Sequence, residues 1–93
     1  MKFTEIISDD CCGRKLISVK IERPLTKEDV NPFIVNGFSL NKKYMDSGIF
    51  YMENDSIILR STFGNNLIVI KTKNKKTFDD NYNILINIIS KMQ

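Results

Sequence analysis

From Lys15 to Arg23 apolar and polar residues take turns, Ile17, Val19 and Ile21 against Ser18, Lys20 and Glu22. A period of two predicts a strand with one wet face, and Pro24 stops it. Before it, Met1 to Ser8 predicts a shorter strand weighted by Phe3, Ile6 and Ile7, and Asp9-Asp10-Cys11-Cys12-Gly13 reads as the loop of a hairpin. Thr26-Lys27-Glu28-Asp29 has the spacing of a capping box and can open a turn of helix. A fuller helix is predicted from Asn31-Pro32, with asparagine as N-cap and proline where a backbone donor is dispensable. From Phe33 through Ile34, Gly37, Phe38, Asn41 and Tyr44 to Met45 the spacing is three and four, and Ser47-Gly48 closes the helix.

Three strands are expected next. Ile49-Phe50-Tyr51-Met52 is followed by a turn at Glu53-Asn54-Asp55, then by Ser56 to Phe63 and a turn at Gly64-Asn65-Asn66. Leu67-Ile68-Val69-Ile70 is continuously apolar, the mark of a central strand covered on both faces. Phe78, Tyr82, Leu85, Ile89 and Met92, widened by Ile86 and Ile88, make a helical stripe broad enough to want a sheet beneath it. Thr77 with Asp80 gives that helix a capping-box-like start. The expected fold is α+β, a five-stranded antiparallel sheet in the order β-β-α-β-β-β-α, with the C-terminal helix packed on it.

Composition narrows the chemistry more than the fold. Ninety-three residues suit a single domain spanning 1–93, and 42% hydrophobic with 27% charged residues is ordinary globular usage. The net charge of +3 is too mild for a dedicated nucleic-acid binder. Alanine is absent, while isoleucine occurs 14 times and asparagine 10 times, usage that points to an AT-rich genome. Without histidine, Ser-His-Asp and Cys-His catalysis and imidazole metal ligation are excluded. Cys11 and Cys12 are the only thiols, and a bond between sequence neighbours would be strained. A reducing, cytoplasmic setting is therefore expected, with no membrane span and no zoned secretory signal at the N-terminus.

Each sharp chemical reading has a plainer competitor. Asp9, Asp10, Cys11 and Cys12 lack the spacing and number of donors that zinc wants, so a loop is expected and no metal or cofactor. Lys71, Lys73, Lys75 and Lys76 form a basic run that can bind anions, in a segment (residues 56–93) with six basic and two acidic side chains. No aromatic interrupts the run, so a solvated loop and no specific nucleic acid are expected. Asn31-Pro32-Phe33 matches a short trafficking peptide, but the same residues make a good helix start. Adjacent carboxylates at Asp79 and Asp80 point apart on a helix, and no nucleophile-plus-base set is present. An enzyme is not expected.

The hairpin Phe3-Thr4-Glu5-Ile6-Ile7-Ser8 through Gly13 to Leu16-Ile17-Ser18-Val19 resembles the longin and roadblock superfamily, which is profilin-like and SNARE-like. So do the strand triplet from Ile49-Phe50-Tyr51-Met52 to Leu67-Ile68-Val69-Ile70 and the helix from Phe78 to Met92. The likeness covers nearly the whole chain, without the extra N-terminal helix of roadblock proteins. It implies a non-catalytic adaptor that dimerises and serves a small GTPase or a trafficking assembly. The implied dimer or partner interface is the helix from Pro32 to Met45 with the following strand, at Phe33, Ile34, Phe38, Ile49 and Tyr51. A rival resemblance is one repeat of the TATA-binding-protein fold, matched by Gly48-Ile49-Phe50-Tyr51-Met52 and Gly64-Asn65-Asn66-Leu67-Ile68-Val69. There the DNA-kinking phenylalanine positions hold Met45 and Thr62, which argues against bending. A nucleic-acid-binding or regulatory, inhibitor-like protein of a virus or mobile element is the alternative function.

Overall fold

A computed structural model describes residues 1–9 and 15–92. The predicted loop residues Asp10 to Gly13, both thiols included, lie outside the described residues. Strands β1 (Phe3–Asp9) and β2 (Lys15–Ile21) pair antiparallel in unbroken register, from Phe3 opposite Ile21 to Asp9 opposite Lys15. The alternation of Ile17, Val19 and Ile21 does what it predicted: all three are buried, while Lys20 is exposed.

The segment expected as one helix from Pro32 to Met45 is instead three elements. A 3-10 turn at Lys27–Val30 runs straight into α1 (Asn31–Val35), and Val30, not Asn31, takes the N-cap place. The helix ends at Gly37, whose φ is +93°. Gly37 N–H donates to the Ile34 carbonyl at 3.1 Å and Phe38 N–H to the Phe33 carbonyl at 3.0 Å. Those two bonds are a Schellman stop, and the Phe33 and Phe38 rings meet edge-on with centroids 6.0 Å apart, supplying its hydrophobic contact. Gly37 is thus a helix terminator and not a weak interior residue. The chain freed by that stop forms β3 (Ser39–Leu40) and then α2 (Lys42–Asp46), which Asn41 caps by accepting Lys43 N–H at 3.0 Å. Gly48, at φ +82°, follows α2 as expected.

Strands β4 (Ile49–Glu53), β5 (Ile57–Thr62) and β6 (Leu67–Thr72) form an antiparallel meander, and α3 (Phe78–Lys91) closes the fold. The sheet has six strands, in the order β1-β2-β6-β5-β4-β3. The expected five-stranded sheet is corrected by β3, a two-residue strand that no periodicity announces. The order of elements becomes β-β-α-β-α-β-β-β-α.

One face of this sheet holds the core. Ile17, Val19, Ile21, Phe50, Met52, Ile57, Leu59, Ile68 and Ile70 point into it and meet Phe33, Phe38, Phe78, Leu85, Ile88 and Ile89 from the helical layer. Phe33 lies edge-on to Phe50 at 5.6 Å, and Phe50 to Phe63 at 5.8 Å, geometry that aromatic quadrupoles favour. Side-chain bonds anchor α3 at two places. Asn81 donates to Ser56 Oγ at 3.0 Å, beside a hydrogen bond between the Ser56 and Thr77 hydroxyls, and Tyr82 donates to Glu5. Thr77 spends its hydroxyl on Ser56, so the capping bond expected of it is not made.

The Thr26 capping box is made, and extended. Asp29, buried, accepts Thr26 N–H at 2.8 Å and both guanidinium nitrogens of Arg23 at 2.7 Å. Burial pushes the Asp29 carboxyl up, but the Arg23 hydrogen bonds, the Thr26 N–H and the Arg23 charge outweigh it, leaving the group below its ordinary value.

Candidate binding surface on the open face of the sheet

β6 is central, between β2 and β5, yet only one of its faces is covered, contrary to the reading of Leu67 to Ile70 as buried on both sides. Ile68 and Ile70 are buried, Val69 half-buried and Leu67 exposed. The register shows what shares this open face, since opposed residues on paired strands point the same way. Ile6, Ser18, Val69, Arg60 and Tyr51 form one row across five strands. Thr4, Lys20 and Leu67 lie to one side, and Leu16, Lys71, Ile58 and Glu53 to the other.

Apolar and polar residues are interleaved on this surface, and its cations are dispersed among them. Lys20, Arg60 and Lys71 are exposed, and Glu53 is the one acid in these rows. Glu53 accepts from the Tyr51 hydroxyl at 3.5 Å and lies 3.6 Å from Lys73 Nζ. Tyr44 of α2 leans onto Tyr51, their ring centroids 5.1 Å apart. Burial, with the Glu53 charge behind it, holds the Tyr51 phenol above its ordinary value. Tyr51 is therefore a neutral donor with one ring face already occupied.

The sequence-predicted interface does not form one patch. Ile49 and Tyr51 stand on the open face, whereas Phe33 and Phe38 point into the core from the opposite side of the sheet, Phe33 with no exposed area. Ile34 is exposed on α1, in the helical layer. The helix predicted to carry all three on one stripe stops at Gly37, and its phenylalanines are spent on the core. The basic run divides too. Lys71 and Lys73 border the open face, while Lys75 and Lys76 lie in the turn before α3, where Lys76 N–H donates to Asn74 Oδ1 at 3.0 Å. Sequence reasoning missed Arg60, Lys20, Ile58, Val69 and Ile6. For Lys20, Ile58 and Arg60 the signal was the period of two within β2 and β5, which gains meaning only once the strands are placed side by side; Ile6 and Val69 sit in apolar runs of β1 and β6 that announce no open face.

The remaining polar cluster is built for holding and not for chemistry. Asn54 Oδ1 accepts the N–H groups of Ser56 and Ile57, both at 2.8 Å, and Asn54 Nδ2 donates to Asn81 at 3.1 Å. The buried Ser56 hydroxyl meets a hydroxyl and a carboxamide, neither of which can take its proton. Among the described residues no three of Cys, Asp and Glu gather as metal ligands, and no helix is long and apolar enough to cross a membrane. Comparisons with protein families, with curated proteins and with solved structures find no match.

Proposed function

We propose that this chain is a non-catalytic cytoplasmic adaptor that binds another protein through the open face of its sheet. The observation that carries the reading is the makeup of that face: apolar Leu16, Ile58, Leu67 and Val69 interleaved with the cations Lys20, Arg60 and Lys71, with Lys73 beside Glu53. Exposed apolar side chains set beside arginine, tyrosine and lysine on one face offer a partner both contact area and hydrogen bonds. The excess of cations selects an acidic partner surface and speeds encounter with it. Single-stranded nucleic acid asks instead for spaced aromatic platforms, and Tyr51 of this face is already in contact with Tyr44, the rings tilted by 37°. The hairpin, meander and final helix keep the longin and roadblock resemblance within the proposal, and with it a small GTPase or trafficking assembly as the acidic partner.

The test pairs capture from the native host with a nucleic-acid isotherm. A double variant, Arg60→Glu with Lys71→Glu, loses a protein that the wild type retains, while its unfolding midpoint stays put. Sub-micromolar, sequence-selective binding of DNA or RNA in moderate salt would overturn the adaptor reading in favour of a nucleic-acid one.

A further inference from the structure

The two edges of the sheet are finished differently. On the far side β3 is two residues long, with α2 packed beside β4, so little backbone is offered there. On the near side β1 offers seven residues in regular register with β2, without proline, and among the described residues no strand lies beyond it. It also carries Ile6 and Ile7, which are 56% and 60% exposed and point to opposite faces. Proteins guard long edges with lysine, proline, bulges, brevity or inward-pointing charge, and between Phe3 and Ile7 β1 has only the last, Glu5, whose carboxylate accepts from Tyr82.

The free backbone groups can be named. Lys2 N–H turns inward to Glu22, and Ile21 N–H turns away from β1 to the Asn66 carbonyl at 2.9 Å. Alternation along an antiparallel pair then aims the N–H and C=O of Thr4 and Ile6 at β2, and those of Phe3, Glu5 and Ile7 outward. We infer that this edge pairs with β1 of a second copy, antiparallel about a two-fold axis normal to the sheet, making one continuous sheet across a homodimer.

Symmetry and charge choose the register. A two-fold normal to the sheet sets inward-facing residues opposite inward-facing ones, so opposed residue numbers sum to an even value. One such register sets Glu5 against Glu5 and is repulsive. The next sets Ile6 against Ile6 on the open face and Glu5 against Ile7 on the helical face, where Tyr82 already donates to the Glu5 carboxylate. In that register Glu5 and Ile7 exchange the outward hydrogen bonds, both exposed isoleucines are covered, and no like charges meet. The occupant is therefore a second copy and not a generic strand. The dimer joins the open faces of two protomers into one surface and does not depend on the adaptor reading.

The experiment is residue-resolved amide hydrogen exchange with light-scattering mass on the full chain. A dimeric mass is expected, with the Glu5 and Ile7 amides protected as well as those of Ile6 and Thr4. Ile6→Lys should halve the mass and return Glu5 and Ile7 to fast exchange while the Ile6-position amide, bonded within the protomer, stays slow. A wild-type monomer at the concentrations of a magnetic-resonance sample would overturn the inference. So would a dimer in which Glu5 and Ile7 exchange as freely as a solvated edge, or protection that appears only when another protein is added. The wild-type exchange pattern decides the matter even where the lysine variant fails to fold.

Discussion

The two faces of the sheet are made from alternate residues of the same strands, and they meet different demands. On the covered face Phe50, Met52, Leu59, Ile68 and Ile70 are held against Phe33, Leu85 and Ile89, where a missing methylene leaves a void. On the open face Ile58, Val69, Arg60 and Lys71 neighbour one another across the strands with nothing above them among the described residues. Stability therefore resides on the covered side, and the proposed function assigns recognition to the other. A side chain on the open face should change with little effect on folding.

The strongest way to break that comparison is to damage the covered face. Phe33→Ala removes a ring that touches Phe38 and Phe50, and it should cost about 3–5 kcal/mol of stability, read as a lower urea midpoint. A loss of under ~1 kcal/mol would mean the helical layer does not pack as described.

Asp29→Ala should cost about 1–3 kcal/mol, because it strands the Thr26 N–H and removes the carboxylate that both Arg23 nitrogens bond. The Asp29 carboxyl lies below its ordinary value of 3.8 in the folded state, so its contribution is present above that value. It is lost as pH falls through the lower native value. Wild type should thus lose stability in acid relative to Asp29→Ala, and parallel curves in midpoint against pH would remove the ion pair from the account.

Gly37→Ala tests the helix stop. An added Cβ meets nothing within 4 Å, so the cost is conformational alone, on the order of 1 kcal/mol at φ +93°. Gly37→Asn should cost less, since asparagine enters that region more readily.

The smallest effect on stability is expected from the open face itself. Val69→Thr and Arg60→Gln should each move the unfolding free energy by no more than about 0.5 kcal/mol. The same changes should weaken partner capture, and a large loss of stability from either would show that this face is structural.

Much of the architecture was legible along the chain because its causes are local. Alternation at Ile17, Val19 and Ile21 places a strand and its wet face, the breadth of the Phe78 to Met92 stripe places a helix on a sheet, and Gly48 and Gly64 mark sharp turns at φ +82° and +92°. The helix from Pro32 to Met45 misleads because its three-and-four spacing runs on past the stop at Gly37. Three-and-four periodicity persists in sequence whether or not the backbone turns at Gly37, and the Phe33–Phe38 contact that rewards the turn is made only in three dimensions. Strand β3 was invisible for a related reason: two residues have no period, and Ser39 and Leu40 are a strand only because Glu53 and Met52 lie opposite.

The sequence by itself determined which residues alternate, where the chain turns and that no histidine chemistry is available. Tertiary structure alone decided that β6 has an open side, that Arg60 stands between Val69 and Tyr51, and that Phe3, Glu5 and Ile7 turn their backbone groups to a free edge. Periodicity says that a strand has two faces, but which face is covered and which edge is free depend on neighbours distant in the chain, and those are set by long-range pairing.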